Sequence, residues 1–474
     1  MKKKIMKLMA VVGLGITILL NSESHVYAAS EEIKYDEMDQ YLQKAVKETH
    51  IPGMSVLLVD KEKVLFSKTY GICDSSDESF IIGSNSKSFT AVAIMQLVEQ
   101  GKVDLNDTID RYLPGIHEGD KITVKQLLNH TSGISTYDTQ EDFEVSSKQG
   151  THVYANANYG LLGKIIESVT GITYCDYIRT NIFEPLQMTN TFTSMDEAKQ
   201  NGLIKGYRNY FGFMVPEDVS YPKEDTNGWL SISAGYIISS ANDMGKYLQL
   251  YLNGGKGVIS PESIEAMFYD TVKEKGTSEY GLGWGTINDE KEPIFTHGGL
   301  VENYITHMFV LPESEVAGVI LMNYNDYLVG NSMSATILQN VWKILLGEKP
   351  SHVNKMSYEM KHLIIDGIYL LVILVSVLPL IRYRSWKKQL NNIRKVRIWI
   401  GFTILHVLYP TLLLFLPGIL GTPFYVVGGF VPDLYLILII SAAVAYATGV
   451  IKAATILRHA IDKKEKEEAH SSAA

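Results

Sequence analysis

Three long apolar segments near the C-terminus constrain the fold of this 474-residue chain more than any other feature. They span residues 363–381, 398–420 and 434–451. Each is close to the roughly 20 residues that an α-helix needs to cross the hydrocarbon core of a bilayer. None has the amphipathic pattern of a helix that packs against a soluble core. The sequence therefore predicts three transmembrane helices, with the lipid bilayer as one expected partner.

The distribution of basic residues gives these helices an orientation. Residues 382–397 contain seven Lys or Arg, residues 417–433 contain none, and the tail at 452–474 is again basic. Basic residues accumulate on the cytoplasmic side of membrane proteins. The first linker and the tail are therefore predicted to be cytoplasmic, and the chain before residue 363 is predicted to be extracytoplasmic.

The N-terminus supports that orientation. Four lysines within the first seven residues precede an apolar segment at 8–20, and Val26-Tyr27-Ala28 provides a small-residue cleavage site. This pattern is typical of a secretory signal peptide, here predicted at residues 1–28. An uncleaved membrane anchor is the alternative interpretation. The extracytoplasmic domain is then predicted at residues 29–350.

The extracytoplasmic part is strongly acidic. The whole chain has a formal net charge of -9, but both ends are basic, so residues 29–362 carry a net charge of -18. Such a charge opposes binding to nucleic acid by bulk electrostatics. No residue cluster has the spacing of a zinc site, so neither a metal nor an organic cofactor is expected. Cys73 and Cys175 allow either a disulfide or two free thiols.

The order of the predicted elements indicates an α+β fold. An early hairpin and several late strands imply an antiparallel sheet that is built from both ends of the domain, with a helical block between them. The predicted strands are Met54–Val59, Val64–Tyr70, Gly281–Trp284, Pro293–His297, Ile305–Leu311 and Ala317–Met322. The predicted helices include Ile33–Thr49, Val124–Leu128 and Tyr159–Thr170.

The segment from Ile81 to Val98 carries a candidate nucleophile. Ser84 and Lys87 stand three residues apart at the start of an apolar run, which predicts a helix that is buried on all sides. A buried lysine beside a serine hydroxyl is one way to activate a weak nucleophile. On this pair alone, helix capping by Ser84 and a solvent-exposed Lys87 are the simpler alternative.

Two further motifs bear on that choice. Tyr154 and Asn156 stand in a polar loop just before a predicted helix. His297, Gly298 and Gly299 end a strand-like run. Paired glycines at such a position let a substrate backbone approach the strand closely.

With these motifs in this order, residues 35–345 resemble the serine β-lactamase and penicillin-binding protein superfamily, in the branch of class C β-lactamases, DD-peptidases and related esterases. Supporting signatures lie at 127–133, 185–188 and 280–284. The resemblance implies a β-lactamase/transpeptidase-like α+β fold, with an antiparallel sheet flanked by helices plus a helical subdomain. It also implies acyl transfer as the reaction.

The resemblance implies a catalytic role for three of the motif residues. Ser84 is the expected nucleophile, which forms an acyl-enzyme with the substrate. Lys87 and Tyr154 are expected to share the general-base and general-acid work.

It also implies a set of substrate-binding groups. Asn156 is expected to hydrogen-bond the substrate amide, and the backbone N–H groups of Ser84 and Leu300 are expected to form the oxyanion hole. His297 and Gly299 line the same strand. Because His297 stands where many members of the superfamily have lysine, the case for binding a β-lactam carboxylate is weaker.

A narrower resemblance comes from the architecture. A catalytic domain of this family followed by three transmembrane helices is similar to the prodrug-activating D-amino peptidases of nonribosomal peptide pathways, of the colibactin and zwittermicin type. That resemblance implies a multi-pass serine peptidase of a bacterial cell membrane, which removes an N-acyl-D-amino acid leader such as D-Asn from an exported peptide. The expected partners are a small peptide or acyl-peptide substrate and an exporter. The alternatives are a cell-wall DD-carboxypeptidase, a class C-type β-lactamase or esterase, and a membrane sensor without catalysis.

Two features stay open at this level. Asn303 either contacts a side-chain amide of the substrate or caps a turn. Residues 202–229 are rich in Tyr, Phe and Gly. They form either a loop that covers the site and binds an acyl chain or a packed loop without a ligand contact.

Overall fold

A computed structural model describes residues 34–222, 231–289, 291–351, 355–390 and 395–473. The predicted signal peptide at 1–28 lies outside the described residues. The chain forms two compact units. The second unit combines Tyr207–Asp218 and Tyr324–Gly330 with the C-terminal residues from Lys355 onward, and the first unit contains the rest.

The strands form three sheets. In chain order they are β1 (Gly53–Val59), β2 (Val64–Gly71), β3 (Ser79–Ile81), β4 (Thr191–Phe192), β5 (Tyr207–Tyr210), β6 (Phe213–Pro216), β7 (Ile238–Ser240), β8 (Val272–Lys275), β9 (Ser278–Tyr280), β10 (Gly285–Asn288), β11 (Pro293–Val301), β12 (Tyr304–Leu311), β13 (Val316–Met322) and β14 (Tyr324–Asn325). The main sheet has the order β2-β1-β13-β12-β11-β10-β9-β8, and the two small sheets have the orders β3-β7-β4 and β14-β5-β6.

The helices divide between the two units. Those of the first unit are α1 (residues 34–49), α2 (Ser86–Glu99), α3 (Val124–Leu128), α4 (Asn156–Thr170), α5 (Tyr174–Ile178), α6 (Met195–Gln200), α7 (Ile232–Gly235), α8 (Ala241–Leu252), α9 (Pro261–Tyr269) and α10 (Gly330–Leu345). Those of the second unit are α11 (Lys355–Ile381), α12 (Tyr383–Lys388), α13 (Lys395–Thr403), α14 (Tyr409–Ile419), α15 (Phe424–Phe430) and α16 (Pro432–Ala473).

The main sheet confirms the predicted α+β class. The early hairpin β1–β2 joins the late strands through antiparallel pairing of β1 with β13, in which Val56 lies opposite Ile320. All residues of β1 and β13 are buried, so both faces of the sheet are covered at its centre, and helix α8 packs against both strands. Both ends of the domain therefore contribute to one sheet, as the order of the elements predicts.

One predicted strand is wrong. Gly281–Trp284 is a turn between β9 and β10, closed by a hydrogen bond from the Gly281 N–H to the Trp284 carbonyl oxygen at 2.7 Å. Gly283 has a φ of +82°, a left-handed conformation that interrupts a strand. Leu282 and Trp284 are nevertheless fully buried, which explains why the segment has the alternating pattern of a strand.

Helix α2 lies at the centre of the hydrophobic core, as the apolar run predicts. From Ser86 to Leu97 every side chain is buried. Phe89 stacks on Tyr247 of α8 with ring centroids 3.8 Å apart, which fixes α2 against a helix that packs on the main sheet. A lysine near the start of such a helix has no path along the helix surface to solvent.

The second unit contains three helices that are long and apolar enough to cross a membrane, among the described residues. They span Lys355–Ile381, Val396–Ile419 and Pro432–His470, and so include the predicted segments to within one residue. The last helix continues through most of the predicted cytoplasmic tail. The predicted orientation of these helices stays a prediction.

The aromatic-rich segment has a different structure from either alternative above. Its residues Tyr207–Tyr210 and Phe213–Pro216 form the hairpin β5–β6, which belongs to the unit of the C-terminal helices. Arg208 is buried there and donates to the carbonyl oxygens of Gly428 and Gly429 at 2.5 and 2.6 Å. Residues 223–230 of the segment lie outside the described residues.

Candidate active site

Ser84 occupies a tight turn immediately before α2. Residues Gly83–Asn85 form one turn of 3₁₀-helix, and Gly83 has a φ of +56°. The Ser86 hydroxyl donates to the Gly83 carbonyl oxygen at 2.7 Å and accepts from the Ile237 N–H at 3.1 Å. These bonds hold the turn in one conformation, so the Ser84 hydroxyl has a defined position at the start of the buried helix.

Lys87 lies beside Ser84 and is fully buried. Its Nζ atom is 3.1 Å from Ser84 Oγ, 2.8 Å from Asn156 Oδ1 and 2.6 Å from the Ala234 carbonyl oxygen. No described carboxylate forms an ion pair with it. The predicted proximity of the serine and the lysine is therefore realised, and the solvent-exposed alternative for Lys87 is wrong.

Burial determines the protonation state of Lys87. Removal of the amine from water disfavours its charged form and holds the pKa of Lys87 well below its usual value. A neutral amine has two hydrogens and one lone pair. Asn156 Oδ1 and the Ala234 carbonyl oxygen can only accept, so they take the two hydrogens. In the deprotonated form of Lys87 the lone pair is left for the Ser84 hydroxyl, which is the arrangement of a general base and its nucleophile.

Tyr154 approaches the same hydroxyl from the loop before α4. Its phenol shares a hydrogen bond with Ser84, and Lys87 Nζ lies 4.8 Å from the centroid of its ring. Burial raises the pKa of Tyr154, and this effect exceeds the lowering by the hydrogen bond to Ser84. Tyr154 therefore stays a protonated phenol, which fits it to donate a proton.

Asn156 is the first residue of α4, and its side chain faces the lysine. Its Oδ1 atom accepts a hydrogen bond from Lys87, so this oxygen holds the amine in place. The predicted contact of Asn156 with a substrate amide stays a prediction.

Leu300 lies on strand β11, which runs against the turn Gly83–Asn85 that carries Ser84, here called the nucleophile turn. A Cβ atom added to Gly83 would lie 2.7 Å from the Gly299 carbonyl carbon and even closer to the Leu300 nitrogen. The backbone of β11 and the turn are therefore in direct contact. This contact places the Leu300 nitrogen beside the turn that carries Ser84, and the oxyanion hole formed by the Ser84 and Leu300 N–H groups stays a prediction.

The two glycines of the His297 motif differ in their surroundings. The motif lies inside β11, not at its end as the pattern predicts. Gly299 is buried, and a Cβ atom there would lie 2.9 Å from the Ile82 carbonyl carbon. Gly298 is exposed, and a Cβ atom there would meet only the His307 ring, at 3.5 Å. Gly299 therefore lets the strand approach the nucleophile turn, and Gly298 is the glycine that faces the solvent.

Thr306 is a positioning residue that the sequence reasoning missed. It lies opposite Gly299 on β12 and is fully buried. Its hydroxyl donates to the Ile82 carbonyl oxygen at 2.6 Å and accepts from Asn85 Nδ2 at 3.0 Å. Ile82 and Asn85 stand on either side of the turn of Ser84, so one hydroxyl ties both ends of the turn to the sheet. A threonine in an apolar strand has no sequence signal that separates it from an ordinary β-forming residue.

His297 is buried and neutral. Its Nδ1 atom lies 2.8 Å from the Gly298 carbonyl oxygen, so Nδ1 carries the hydrogen, and Nε2 accepts from the Tyr280 hydroxyl at 2.9 Å. Burial, with a smaller contribution from the nearby Lys87, lowers the pKa of His297 to about 3. The strand therefore has no positive charge at the position where a carboxylate-binding lysine would stand.

Asn303 lies in the two-residue turn between β11 and β12, in which Val301 pairs with Tyr304. Its side chain is 1% exposed and lies against Gly206. Its place in this turn and its burial fit the turn-capping alternative better than a substrate contact. The substrate contact stays a prediction, since no ligand defines the position of a substrate side chain.

A cleft of about 340 Å³ opens next to these groups. Residues that line it include Tyr154, Glu274, Tyr280, Thr296, His297 and Gly298. The exposed surface of its lining is mostly apolar with a small number of polar groups, as expected for a small-molecule site. It has the volume for an amide substrate of modest size.

Comparison with known proteins identifies the family. Residues 38–338 match the protein-family model described as Beta-lactamase. The chain is 29% identical over 395 residues to Protein flp of Staphylococcus aureus, across 75% of this chain and 76% of that protein. It is 30% identical over 276 residues to the putative penicillin-binding protein PbpX of Bacillus subtilis, across 54% of this chain and 67% of that protein.

Solved structures give the same fold. An octameric penicillin-binding protein homologue from Pyrococcus abyssi superposes with a TM-score of 0.59 at 28% identity, over 66% of this chain and 78% of that chain. A class C beta-lactamase has a TM-score of 0.56 at 20% identity, over 68% and 98%. A D-stereospecific amidohydrolase from Streptomyces sp. has a TM-score of 0.51 at 24% identity, over 61% and 94%.

Proposed function

The chain belongs to the beta-lactamase family, and on that premise we propose that it is a membrane-anchored serine peptidase that cleaves an amide next to a D-amino acid. Its fold and its neighbours make it a serine hydrolase. The proposed substrate is an N-acyl-D-amino acid leader, with D-Asn as the first candidate, on an exported peptide. The single observation that carries the proposal is the buried amine of Lys87, 3.1 Å from Ser84 Oγ.

Acylation of Ser84 follows from this geometry. Ser84 Oγ attacks the amide carbonyl carbon while its proton passes to the lone pair of Lys87. The bond that forms joins Oγ to the carbonyl carbon, and negative charge develops on the carbonyl oxygen. The N–H groups of Ser84 and Leu300 stabilise that charge because both are fixed before the reaction begins.

Collapse of the tetrahedral intermediate releases the amine. The carbon–nitrogen bond breaks, and the leaving nitrogen takes the proton of the Tyr154 phenol. The ammonium of Lys87 then returns a proton to Tyr154, so both groups regain their starting states. A water molecule attacks the acyl-enzyme with the same groups acting in reverse, which frees Ser84 and the N-acyl-D-amino acid.

Two observations support an amide with a D-residue over the alternatives. The Streptomyces neighbour is described as a D-stereospecific amidohydrolase. The neutral state of His297 removes the fixed positive charge that would hold the carboxylate of a penicillin or of a cell-wall peptide.

A cell-wall DD-carboxypeptidase or a β-lactamase is the second candidate. It is favoured by the penicillin-binding proteins among the similar sequences and structures. It uses the same nucleophile and base, so only the substrate separates the two candidates.

The test uses the full-length protein in detergent. We expect it to hydrolyse an N-acyl-D-asparaginyl 4-nitroanilide and to leave the L-enantiomer uncleaved, whereas Ser84→Ala is inactive on both. A fluorescent penicillin measures the second candidate under the same conditions. Durable labelling of Ser84 by that penicillin, together with no turnover of the D-anilide, would contradict the proposed peptidase and favour the second candidate.

A further inference from the structure

The cleft beside Tyr154 has an unusual charge balance. Glu274 is its one acidic group, and among the described residues that line it there is no Lys or Arg. His297 is the one imidazole among the described lining residues, and burial lowers its pKa to about 3, so it carries no positive charge at neutral pH. A ligand in this cleft therefore meets a negative charge that no positive group of the lining offsets.

A β-bulge places Glu274 at the cleft. Lys273 pairs with Glu279 and Lys275 pairs with Ser278, so Glu274 is the extra residue between two regular pairs. Bulges of this kind redirect a side chain and are common beside active sites. The flanking lysines are not among the residues that line the cleft. The bulge thus presents the carboxylate to the cleft without its two neighbours.

The proposed mechanism places the leaving group of the substrate in this cleft. Tyr154 lines the cleft, and in that mechanism Tyr154 gives its proton to the departing nitrogen. The part of the substrate that carries this nitrogen must therefore lie against Tyr154, in the cleft that also contains Glu274. The charge of Glu274 reaches this point, since it contributes to the raised pKa of Tyr154.

We propose that Glu274 selects amides whose leaving group carries an ammonium and disfavours those whose leaving group carries a carboxylate. This inference rests on the proposed function, because that function defines which side of the site holds the departing amine. It names the substrate class: an acylated D-residue joined to a polyamine-like or otherwise cationic product. The carboxylate of Glu274 also disfavours two kinds of anionic substrate. These are penicillins and cell-wall peptides that end in a free carboxylate.

The test compares three matched anilides of one N-acyl-D-asparagine. Their rings carry a 4-aminomethyl, a 4-hydroxymethyl or a 4-carboxymethyl group, so they differ in charge and little in shape. For the wild-type protein in low salt we expect kcat/KM to fall by about two- to fivefold from the cationic to the neutral anilide, as for an exposed ion pair. We expect kcat/KM to fall again, by a similar factor, from the neutral to the anionic anilide. Salt reduces both differences.

Variants at Glu274 decide the assignment. Glu274→Gln should bring the three anilides to within about twofold of one another, and Glu274→Lys should reverse their order. Glu265→Gln is the matched control, because this substitution changes the net charge by the same amount. Glu265 is exposed on α9 and does not line the cleft. Hydrolysis of the neutral anilide and the melting temperature report whether each variant is folded.

Two results would overturn the inference without touching the peptidase. One is an unchanged cationic-to-neutral ratio in Glu274→Gln, and the other is an equal change in Glu265→Gln. If the wild-type protein hydrolyses none of the anilides, the peptidase itself fails. Labelling by the anionic fluorescent penicillin then tests Glu274 by itself. Glu274→Lys should label at least about fivefold faster than wild type, and an equal or slower rate would overturn the assignment.

Discussion

Strand β11 and the nucleophile turn touch at Gly299, and one added methyl group there should separate them. In Gly299→Ala the new Cβ atom lies 2.9 Å from the Ile82 carbonyl carbon, whereas ordinary contact begins at 3.4 Å. The carbonyl oxygen of Ile82 is closer still. Neither atom is the end of a flexible side chain, so the turn or the strand must move by more than the roughly 0.5 Å that the carbon contact alone requires, and by about 1 Å in all.

Such a shift acts on the rate more than on the fold. The Leu300 N–H moves away from the oxygen of the transition state, and a misplacement of about 1 Å lowers catalytic rates by about 10²-fold. Overpacking of a buried site costs about 1–3 kcal/mol of folding stability. We therefore expect acylation of Ser84 to slow about 100-fold while most of the protein stays folded.

The adjacent glycine provides the control. In Gly298→Ala the nearest atom to the new Cβ is His307 Nδ1 at 3.5 Å, an ordinary contact, so the melting temperature should not change. The assay is the rate at which a fluorescent fluorophosphonate labels Ser84 in each purified full-length variant, with thermal unfolding measured alongside. Labelling of Gly299→Ala at the wild-type rate would refute the close contact between the strand and the turn.

Three further predictions concern groups around the nucleophile. Lys87→Arg introduces a guanidinium that stays charged and offers no lone pair at neutral pH, so labelling by the fluorophosphonate should fall about 10²–10⁴-fold. A normal rate would exclude Lys87 as the base. Thr306→Val should lower kcat on the D-anilide about tenfold with little change in KM, because two buried hydrogen bonds are lost. Thr306→Ser should restore kcat, because its hydroxyl can form both bonds again. Equal kcat values for the wild type and both variants would show that the hydroxyl does not position the turn. Burial holds the pKa of His297 near 3 and that of His307 near 4, below the ordinary 6.5. The contribution of these two histidines to stability is therefore full above pH 6.5, and it falls by up to about 1.4 kcal/mol per histidine for each pH unit below that value until the folded pKa is reached. The melting temperature should fall between about pH 7 and about pH 5, and a constant value would contradict the burial of neutral imidazoles.

The core of the site could be predicted because its residues are chemically distinctive and stand in short motifs. Ser84, Lys87 and Tyr154 meet at one hydroxyl in the structure, although two of them are separated from the third by more than sixty residues. The long apolar segments were equally clear, since length and composition alone define a helix that can cross a membrane.

Other features depend on contacts that a linear sequence does not display. Thr306 acts through its register opposite Gly299. Glu274 acts through a bulge that the alternation of residues does not signal. The error at Gly281–Trp284 arises because buried side chains alternate in a turn as they do in a strand.

The hairpin β5–β6 sets a limit on how the hydrolase can be made soluble. A chain cut at residue 350 keeps every residue of the proposed site, yet it removes the carbonyl oxygens of Gly428 and Gly429 that accept from Arg208. Hydrogen bonds to a charged group contribute about 1.5–3 kcal/mol each to stability, so the hairpin loses part of its support. A soluble form that keeps residues 207–218 therefore exposes a strand pair shaped for the missing helices. Replacing that hairpin with a short polar linker is the change that should accompany the cut.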